Sequence, residues 1–470
     1  MDNQAFRDWA VRAAEWAAEY RATLAERPVR AQTKPGAVAA QLPPRAPETA
    51  EPMADIFADF ERVVLPGMTH WQHPRFFAYF PANAAPVSVI AEILVSAMAA
   101  QCMLWQTSPA ATEMETVVLQ WLRDAIGLPE GFHGVIQDSA SSATLAAILT
   151  MRERALGFAG NRQGLAAHAR TRIYASHEVH SSIDKAVWIA GIGQDNLVRI
   201  PTRGPSRAMD TEALESAIAA DRGAGLLPAG IVACVGGTSV GAADHVAATS
   251  AVARRHGLYL HVDAAWAGAA MICPEFRTMW QGIEQADSLV LNPHKWLGAQ
   301  FDCSAHFVRD PAALVRTLAI EPEFLRTYGR EGIVNYSEWS IPLGRRFRAL
   351  KLWFLLRAHG LEGLRAMIRD HVRWSQALAR RLAATAGFAL VTEPVLSLFS
   401  FRHDPGDGRD LDAHNLALVA AINDDGRLYL TQTRVDGRVA IRFQVGAMTT
   451  SEADIDPAFD VIRAIAGRLS

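Results

Sequence analysis

Short apolar runs alternate with segments of helical periodicity between residues 171 and 308, and this alternation limits the possible folds more than any other feature. The strand-length runs are residues 172–176, 196–200, 230–235, 258–262, 288–291 and 304–308. Strands that alternate with helices favour a mostly parallel sheet, because parallel neighbours need a crossover connection. We therefore predict an α/β fold with a mostly parallel central sheet and helices on both of its faces.

Polar or ionisable residues stand at the ends of four of these runs. Lys295 follows the run that ends at Leu291, Asp263 closes another, and His180 and Thr238 follow two more. Ligands of open α/β sheets bind in the crevice outside the carboxyl ends of the strands. We therefore expect these four side chains to meet at one edge of the sheet.

Lys295 is the central residue of this predicted site. An ammonium group is costly to bury unless it is paired or used chemically, and pyridoxal phosphate (PLP) is a cofactor that uses a lysine covalently. PLP also needs an acid at its pyridine nitrogen and packing on its ring, for which Asp263, His180 and the small Ala265 are suited. A solvated surface lysine is the common alternative, but this combination of partners favours PLP.

The phosphate of PLP is expected where a strand runs into a helix, within Val135–Thr144. Hydroxyls and free N–H groups at a helix N-terminus suit a phosphate, and we assign this role to Ser139, Ala140 and Ser141. Asp138 precedes them, and a carboxylate near a phosphate is unfavourable unless it points away or is neutralised. We therefore leave Asp138 out of the phosphate site, and its effect on phosphate binding stays open.

Three motifs resemble the PLP-dependent group II decarboxylases, in particular the aromatic-L-amino-acid decarboxylases. They are HWQHP at 70–74, HVDAAWAG at 261–268 and NPHKW at 292–296. The motifs are long and follow the family's order, and the resemblance extends from Phe6 to the C-terminal region. It implies the aspartate-aminotransferase-like PLP fold (fold type I) and a homodimer whose active sites lie between the subunits.

The resemblance also implies a reaction, the decarboxylation of an aromatic L-amino acid (tryptophan, tyrosine, phenylalanine or DOPA) to its arylalkylamine and CO2. Lys295, Asp263 and His180 would be catalytic, and Tyr336 would protonate the carbon that loses CO2, on a loop that enters the neighbouring subunit's site. Relatives that make aldehydes carry phenylalanine at that position, so an aromatic aldehyde synthase is an alternative. An aminotransferase or another carbanion enzyme is a second one, and a non-catalytic interaction protein is a third.

Further contacts follow from the resemblance alone. The additional cofactor-binding residues would be Thr238, Ala265, Asn292 and His294. The substrate side chain would be bound by Trp71, Tyr79, Phe80, Pro81, Gln101, Met103 and Gly344. Of these, Gln101 and Met103 match positions that reach in from the other subunit.

Two positions bear on which ring the substrate carries. Ala82 stands where the family often has a hydroxyl, which puts a polar contact to a ring hydroxyl there in doubt. Gly344 matches a position where plant relatives with glycine tend to take indoles and those with serine tend to take phenols. The resemblance at this position therefore favours indolic substrates. The preferred amino acid and the pathway stay open.

The rest of the chain is divided by local signals. Residues 2–25 place apolar and aromatic side chains at spacings of three and four, which predicts an amphipathic helix. We predict an N-terminal helical and dimerisation segment at 1–80, a large PLP-binding domain at 81–342 and a small C-terminal α/β domain at 343–470. Residues 320–337 predict a long connection, and such connections are often lids.

Composition and spacing argue against several other functions. The net charge of −3 does not indicate nucleic-acid binding, and no stretch is apolar enough to span a membrane or to form a signal core. His177-Glu178-Val179-His180 has one residue after the glutamate where the zinc-protease motif needs two, so we expect no metal. The four cysteines are scattered, which predicts reduced thiols in a cytoplasmic protein.

Overall fold

The computed structural model describes residues 1–320 and 332–469, which divide into two units. One unit comprises Ala82–Arg373 and Thr392–Phe399, and the other comprises Met1–Pro81, Trp374–Val391 and Ser400–Ser470. The assignment of roles to segments 1–80, 81–342 and 343–470 remains a prediction. Most of the predicted connection at 320–337 lies outside the described residues, because these do not include 321–331.

Strands β1 to β9 belong to the larger unit. They are β1 His133–Gln137, β2 Thr171–Ser176, β3 Leu197–Ile200, β4 Thr202–Arg203, β5 Ala208–Met209, β6 Leu227–Cys234, β7 Tyr259–Asp263, β8 Ser288–Leu291 and β9 Ser304–Val308. Seven of them form one sheet in the order β1-β9-β8-β7-β6-β2-β3, while β4 and β5 form a separate antiparallel pair. All six strands predicted between 171 and 308 are confirmed.

The central sheet is mostly parallel, as predicted. Strands β3, β2, β6, β7 and β8 are parallel, whereas β9 is antiparallel to both of its neighbours, β8 and β1. Because β1 and β8 are each antiparallel to β9, they run in the same direction. The carboxyl ends of β1, β2, β6, β7 and β8 therefore lie at one edge of the sheet.

The helices begin and end close to their sequence signals. They are α1 Asn3–Ala22, α2 Met53–Asp59, α3 Pro86–Met98, α4 Pro109–Ile126, α5 Ala140–Ala155, α6 Gly160–Gln163, α7 Ser182–Ile189, α8 Thr211–Gly223, α9 Val246–His256, α10 Pro311–Leu318, α11 Arg348–Ala383, α12 Leu411–Asp425 and α13 Ile455–Leu469. Helix α4 starts with Pro109 at its first position and is capped after Ile126 by Gly127, whose φ of 79° suits glycine. Helix α11 is interrupted at Gly360. No described helix is both long and apolar enough to cross a bilayer.

Helices pack around the sheet and bury its central strands. Helix α5 contacts β6, β7, β8 and β9, and α8 and α9 contact β6. Every residue of β7 and β8 is buried, which is typical of parallel strands that are covered on both sides. The core beside them includes Ile148, Ile173 and Val232, all without solvent exposure.

The smaller unit contains the N-terminal helices and a second sheet. Its strands are β10 Phe388–Leu390, β11 Leu398–His403, β12 Thr431–Val435 and β13 Arg438–Gln444, in the order β10-β11-β13-β12. The predicted N-terminal helix is confirmed as α1, which packs Trp9 against Phe57 and Trp16 against Phe60, with ring centroids 5.6 and 4.9 Å apart. Phe6 and Val11 of α1 remain exposed.

Two histidines lie inside the sheet of the larger unit. His261 on β7 hydrogen-bonds through Nδ1 to the Ser288 hydroxyl at 2.7 Å, and its ring lies 5.8 Å from that of His306 on β9. Neither ring nitrogen of His306 has a hydrogen-bond partner in the described part of the chain. Burial lowers the pKa of His306 to about 4. A neutral imidazole is thus buried without compensation.

Replacing His306 by methionine should stabilise the protein. His306→Met removes two unpaired polar atoms at similar volume, which predicts a gain of about 1–3 kcal/mol. The pKa of His306 is lower in the folded state than in the unfolded state, so wild type loses stability as pH falls from about 6.5 to 4. The variant should lose less over this range, as thermal denaturation at several pH values would show. The exposed His359→Met is the control and should keep the wild-type pH dependence of stability. The same pH dependence of stability in His306→Met as in wild type would show that the buried His306 does not cause the loss.

Candidate active site

Lys295 lies in a single π-helical turn, Pro293–Leu297, directly after β8. Pro293 ends the strand because it has no N–H for the ladder, and Gly298, with φ 97°, ends the turn. The Lys295 N–H donates to the Asn292 carbonyl at 2.9 Å, and the Asn292 side chain accepts from Ser304 at 2.7 Å. Single π turns are frequent at functional sites.

His294 supports the same turn from the inside. The ring Nδ1 of His294 accepts the Cys303 backbone N–H at 2.9 Å, and the backbone N–H of His294 donates to the Cys303 carbonyl at 3.2 Å. Burial, followed by the nearby charge of Lys295, lowers the pKa of His294 to about 3. His294 is therefore neutral, and it ties the turn to the backbone of Cys303.

Asp263 and Lys295 both lie within electrostatic reach of His180. Asp263 is the last residue of β7 and is buried, and its Oδ1 accepts the Ala265 N–H at 3.0 Å. Burial lowers the pKa of His180, Asp263 opposes this effect, and Lys295 adds to it. The Ser182 N–H donates to His180 Nδ1 at 3.1 Å, so the proton of the neutral ring is on Nε2.

The predicted phosphate site is the N-terminus of α5. Ser139 is its N-cap, and its Oγ accepts the Ser142 N–H at 3.2 Å. Ala140 and Ser141 are the first two helical residues, and their N–H groups precede the first intrahelical hydrogen bond, as an anion site requires. The geometry of this helix end therefore suits the predicted phosphate.

Asp138 is less unfavourable beside this site than the sequence alone suggested. Its Oδ1 accepts a hydrogen bond from the Ser139 hydroxyl at 3.2 Å. Burial lowers the pKa of Arg348, but the ion pair with Asp302 outweighs burial, and the charge of Asp138 adds to the rise. Asp138 and Arg348 therefore attract each other, although Arg348 is paired with Asp302.

Small residues leave room near the acid. A Cβ on Gly236 would lie 2.4 Å from the Cβ of Ala267, so only glycine fits where the chain leaves β6. Thr238 follows on this loop and is exposed, and Ala265 is partly exposed. Both are accessible to a ligand, whereas Ala264 is fully buried.

These residues fit PLP. A lysine, a buried carboxylate, an imidazole with a known tautomer and a helix N-terminus all follow carboxyl ends of strands at one edge of the sheet. Lys295 would carry the cofactor, Asp263 would pair with its pyridine nitrogen, and Ser139, Ala140 and Ser141 would hold its phosphate. No group of three His, Cys, Asp or Glu side chains in residues 1–320 and 332–469 is placed to hold a metal ion.

Tyr336 has different neighbours from these residues in the described part of the chain. It is buried, and its hydroxyl is 2.8 Å from the Thr116 hydroxyl. Because Thr116 donates to the Thr112 carbonyl at 3.2 Å, Tyr336 is the donor of this bond. Burial raises the pKa of the Tyr336 phenol.

The side chain of Tyr336 lies near the first residues of β1. The tyrosine lines a cavity of about 160 Å³ together with His133 and Gly134. The predicted phosphate site follows the other end of β1, and a strand of this length spans roughly 13 Å. Tyr336 is thus not an ordinary exposed loop residue.

Three predicted substrate contacts are connected to the segment that carries Tyr336. The Ser337 N–H donates to the Met103 carbonyl at 3.1 Å, and the Arg345 N–H donates to the Gln101 side chain at 2.7 Å. A Cβ on Gly344 would lie 3.2 Å from Nε2 of Gln101. The structure therefore brings Gln101, Met103 and Gly344 together.

The remaining predicted substrate contacts lie in the smaller unit. The rings of Trp71 and Tyr79 are stacked with centroids 5.8 Å apart, and both are partly exposed. Tyr429, which no sequence motif singles out, places its hydroxyl 3.3 Å from that of Tyr79. Phe80 is buried, and Pro81 is the last residue of this segment of the unit.

Known proteins resemble this chain over its whole length. A family model described as the pyridoxal-dependent decarboxylase conserved domain matches residues 35–404. Tryptophan decarboxylase 2 of Oryza sativa subsp. japonica is 37% identical, covering 98% of this chain and 95% of its own. Phenylacetaldehyde synthase of Arabidopsis thaliana is 36% identical, covering 98% and 96%. The crystal structure of Oryza sativa TDC with PLP and tryptamine matches with a TM-score of 0.96 at 33% identity, covering 100% and 99%.

Replacing Lys295 by alanine tests which amine carries PLP. We expect Lys295→Ala to lose the visible absorption band of the bound cofactor and all turnover, because the variant lacks the carrier amine, while circular dichroism stays unchanged. The chain has four lysines, at 34, 185, 295 and 351, so the control set is small. The exposed Lys185→Ala should keep both properties. A cofactor that borohydride still fixes to Lys295→Ala would assign the role to another lysine.

Proposed function

The chain belongs to the pyridoxal-dependent decarboxylase family, and from this premise we propose that it converts an aromatic L-amino acid to its arylalkylamine and CO2. Family membership makes it a PLP-dependent carboxy-lyase. The observation that carries the proposal is its whole-length similarity to enzymes named for aromatic substrates and products. The exposed aromatic pair Trp71 and Tyr79 supports it, because such a pair suits a ring better than a second carboxylate.

The residues at the sheet edge have separate tasks in this proposal. PLP, when bound, accepts the electrons that remain when CO2 leaves. Asp263 would keep the pyridine nitrogen protonated by charge pairing, since its carboxylate is buried at the end of β7. His180 would pack on the ring while its Nδ1 stays bonded to Ser182. Thr238 and Ala265 would contact the ring from the neighbouring loops.

Tyr336 would act in the site of a second copy of the chain. In its own chain it lies beside the start of β1, while the cofactor residues follow the opposite strand ends. Gln101 and Met103 are hydrogen-bonded to the same segment, so all three would enter the partner's site together. The proposal therefore includes a homodimer with shared active sites, as the family resemblance implies.

An aromatic aldehyde synthase is the second candidate. It is supported by the 36% identity to phenylacetaldehyde synthase of Arabidopsis thaliana, which is almost the same as that to the rice decarboxylase. Tyr336 favours the amine, because a phenol near Cα could donate a proton before oxygen reacts there. The two candidates are distinguished by their products, since only the aldehyde route consumes oxygen.

Indolic substrates are the preferred class in this proposal. Gly344 has no side chain, so the space beside Gln101 stays open. A Cβ at position 344 would lie 3.2 Å from Nε2 of Gln101. The side chain of Gln101 accepts a hydrogen bond from the Arg345 N–H, which limits how far it can move away. A side chain at 344 would therefore displace Gln101 or narrow the space beside it.

Removing the Tyr336 hydroxyl should change the product. We expect Tyr336→Phe to keep PLP binding and CO2 release but to form aldehyde, ammonia and hydrogen peroxide with uptake of O2, because the proton donor is lost. An oxygen electrode and product chromatography with tryptophan, tyrosine, phenylalanine and DOPA would measure this. Amine at the wild-type rate without oxygen uptake would show that another group protonates the carbon. Faster decarboxylation of glutamate than of all four would refute the aromatic class.

A side chain at position 344 should shift the ring preference. We expect Gly344→Ser to lower the ratio of kcat/KM for tryptophan to that for tyrosine by roughly tenfold, which is typical of one added group in a pocket. Gly131→Ser is the matched control, because no atom lies within 4 Å of a Cβ there. Initial rates with both amino acids give the ratio. A ratio unchanged in Gly344→Ser would remove the basis for the indole preference.

A further inference from the structure

Asn83 contacts the backbone of the predicted carrier lysine. Its side chain is almost completely buried, and its Nδ2 donates to the carbonyl of Lys295 at 2.5 Å. The two residues are 212 positions apart in the chain. Asn83 stands between two alanines, and no sequence pattern distinguishes it.

The segment that contains Asn83 makes further hydrogen bonds to the π turn and to the residues directly after it. The Asn83 N–H donates to the His294 carbonyl at 2.8 Å, and the Ala85 N–H donates to the Gly298 carbonyl at 2.9 Å. Ser88 Oγ accepts the Gln300 N–H at 2.7 Å. A single turn leaves most of its carbonyls without intrahelical partners, so these bonds replace the next turn of a helix.

We propose that Asn83 is a positioning residue for Lys295. The peptide plane that includes the Lys295 carbonyl sets the direction in which the lysine side chain leaves the backbone. That side chain has four flexible carbons, so the position of its ammonium depends on where the chain leaves the backbone. The amide of Asn83 fixes this point. The proposal rests on the role of Lys295 as carrier of PLP.

The side chain of Asn83 is specifically required for this bond. The bonds from Asn83 N–H and Ala85 N–H are made by the main chain, so almost any residue could supply them. The bond to the Lys295 carbonyl needs a side-chain donor of the length of asparagine. Its loss removes a hydrogen bond at a part-buried carbonyl, and such losses are costly.

Hydrogen exchange and cofactor recombination test this inference. Asn83→Leu keeps the number and branching of the side-chain heavy atoms and removes the donor, and Asn83→Ala serves if leucine does not fold. In the cofactor-free variants, we expect backbone amides of residues 289–300 to exchange about tenfold faster, because the turn opens more often. On addition of PLP, the visible band should form about tenfold more slowly. In the holoenzyme kcat should fall more than KM rises.

Asn415→Leu is the matched control. Asn415 is fully buried in the smaller unit, and its Nδ2 donates to two carbonyls, of His403 and Leu411, at 2.9 and 2.8 Å. This variant should lose thermal stability but keep wild-type exchange in residues 289–300 and wild-type recombination. A general effect of losing a buried amide would appear in Asn415→Leu as well, and it would overturn the positioning role.

The outcomes separate this inference from the proposed function. Unchanged exchange and recombination in both Asn83 variants, with loss of the band in Lys295→Ala, would overturn the role of Asn83 alone. Retention of the band in Lys295→Ala would instead overturn the carrier role of Lys295, on which the role of Asn83 rests. Faster exchange and slower recombination in the Asn83 variants, with the band lost in Lys295→Ala, would support both.

Discussion

The parallel pairing of β7 and β8 is the interaction on which the site depends. It continues beyond both strands, because the Ala264 N–H donates to the Val290 carbonyl at 3.0 Å and the Asn292 N–H donates to the Ala265 carbonyl at 2.9 Å. These bonds fix the residues after Asp263 relative to the turn that contains Lys295. A shift of one residue would turn the side chains of a strand to the other face of the sheet. The acid and the lysine turn therefore follow neighbouring strand ends on the intended face only in this register.

A second constraint is the buried ion pair that holds the segment after Tyr336. Arg345 lies 2.5 Å from Glu115 and also donates to the Ile136 carbonyl at 3.1 Å, so it ties this segment to α4 and β1. Removing one partner of such a pair costs about 3–5 kcal/mol, because the other charge stays buried. The guanidinium also lies 5.3 Å from the centre of the Tyr336 ring. The tyrosine is therefore held by the same framework that positions Gln101 and Met103.

Much of the fold and of the cofactor site could be predicted, for identifiable reasons. The six strands were visible because a buried strand needs a continuous apolar run, and His180, Asp263 and Lys295 were visible because they interrupt or follow such runs. Thr116 and Asn83 could not be predicted. A threonine within an amphipathic helix and an asparagine between alanines are ordinary local patterns, and their partners are 220 and 212 residues away.

The sequence by itself determined the chemical groups of this protein and the strand ends that present them. It also determined the family, because long motifs retain their order whatever the details of packing. Only the tertiary structure decided that Tyr336 is bonded to Thr116 and lines a cavity at the start of β1, and that the amide of Asn83 bonds the carbonyl of Lys295. The physical reason is that periodicity reports which face of an element is buried, whereas a hydrogen bond between distant segments depends on how complete elements pack.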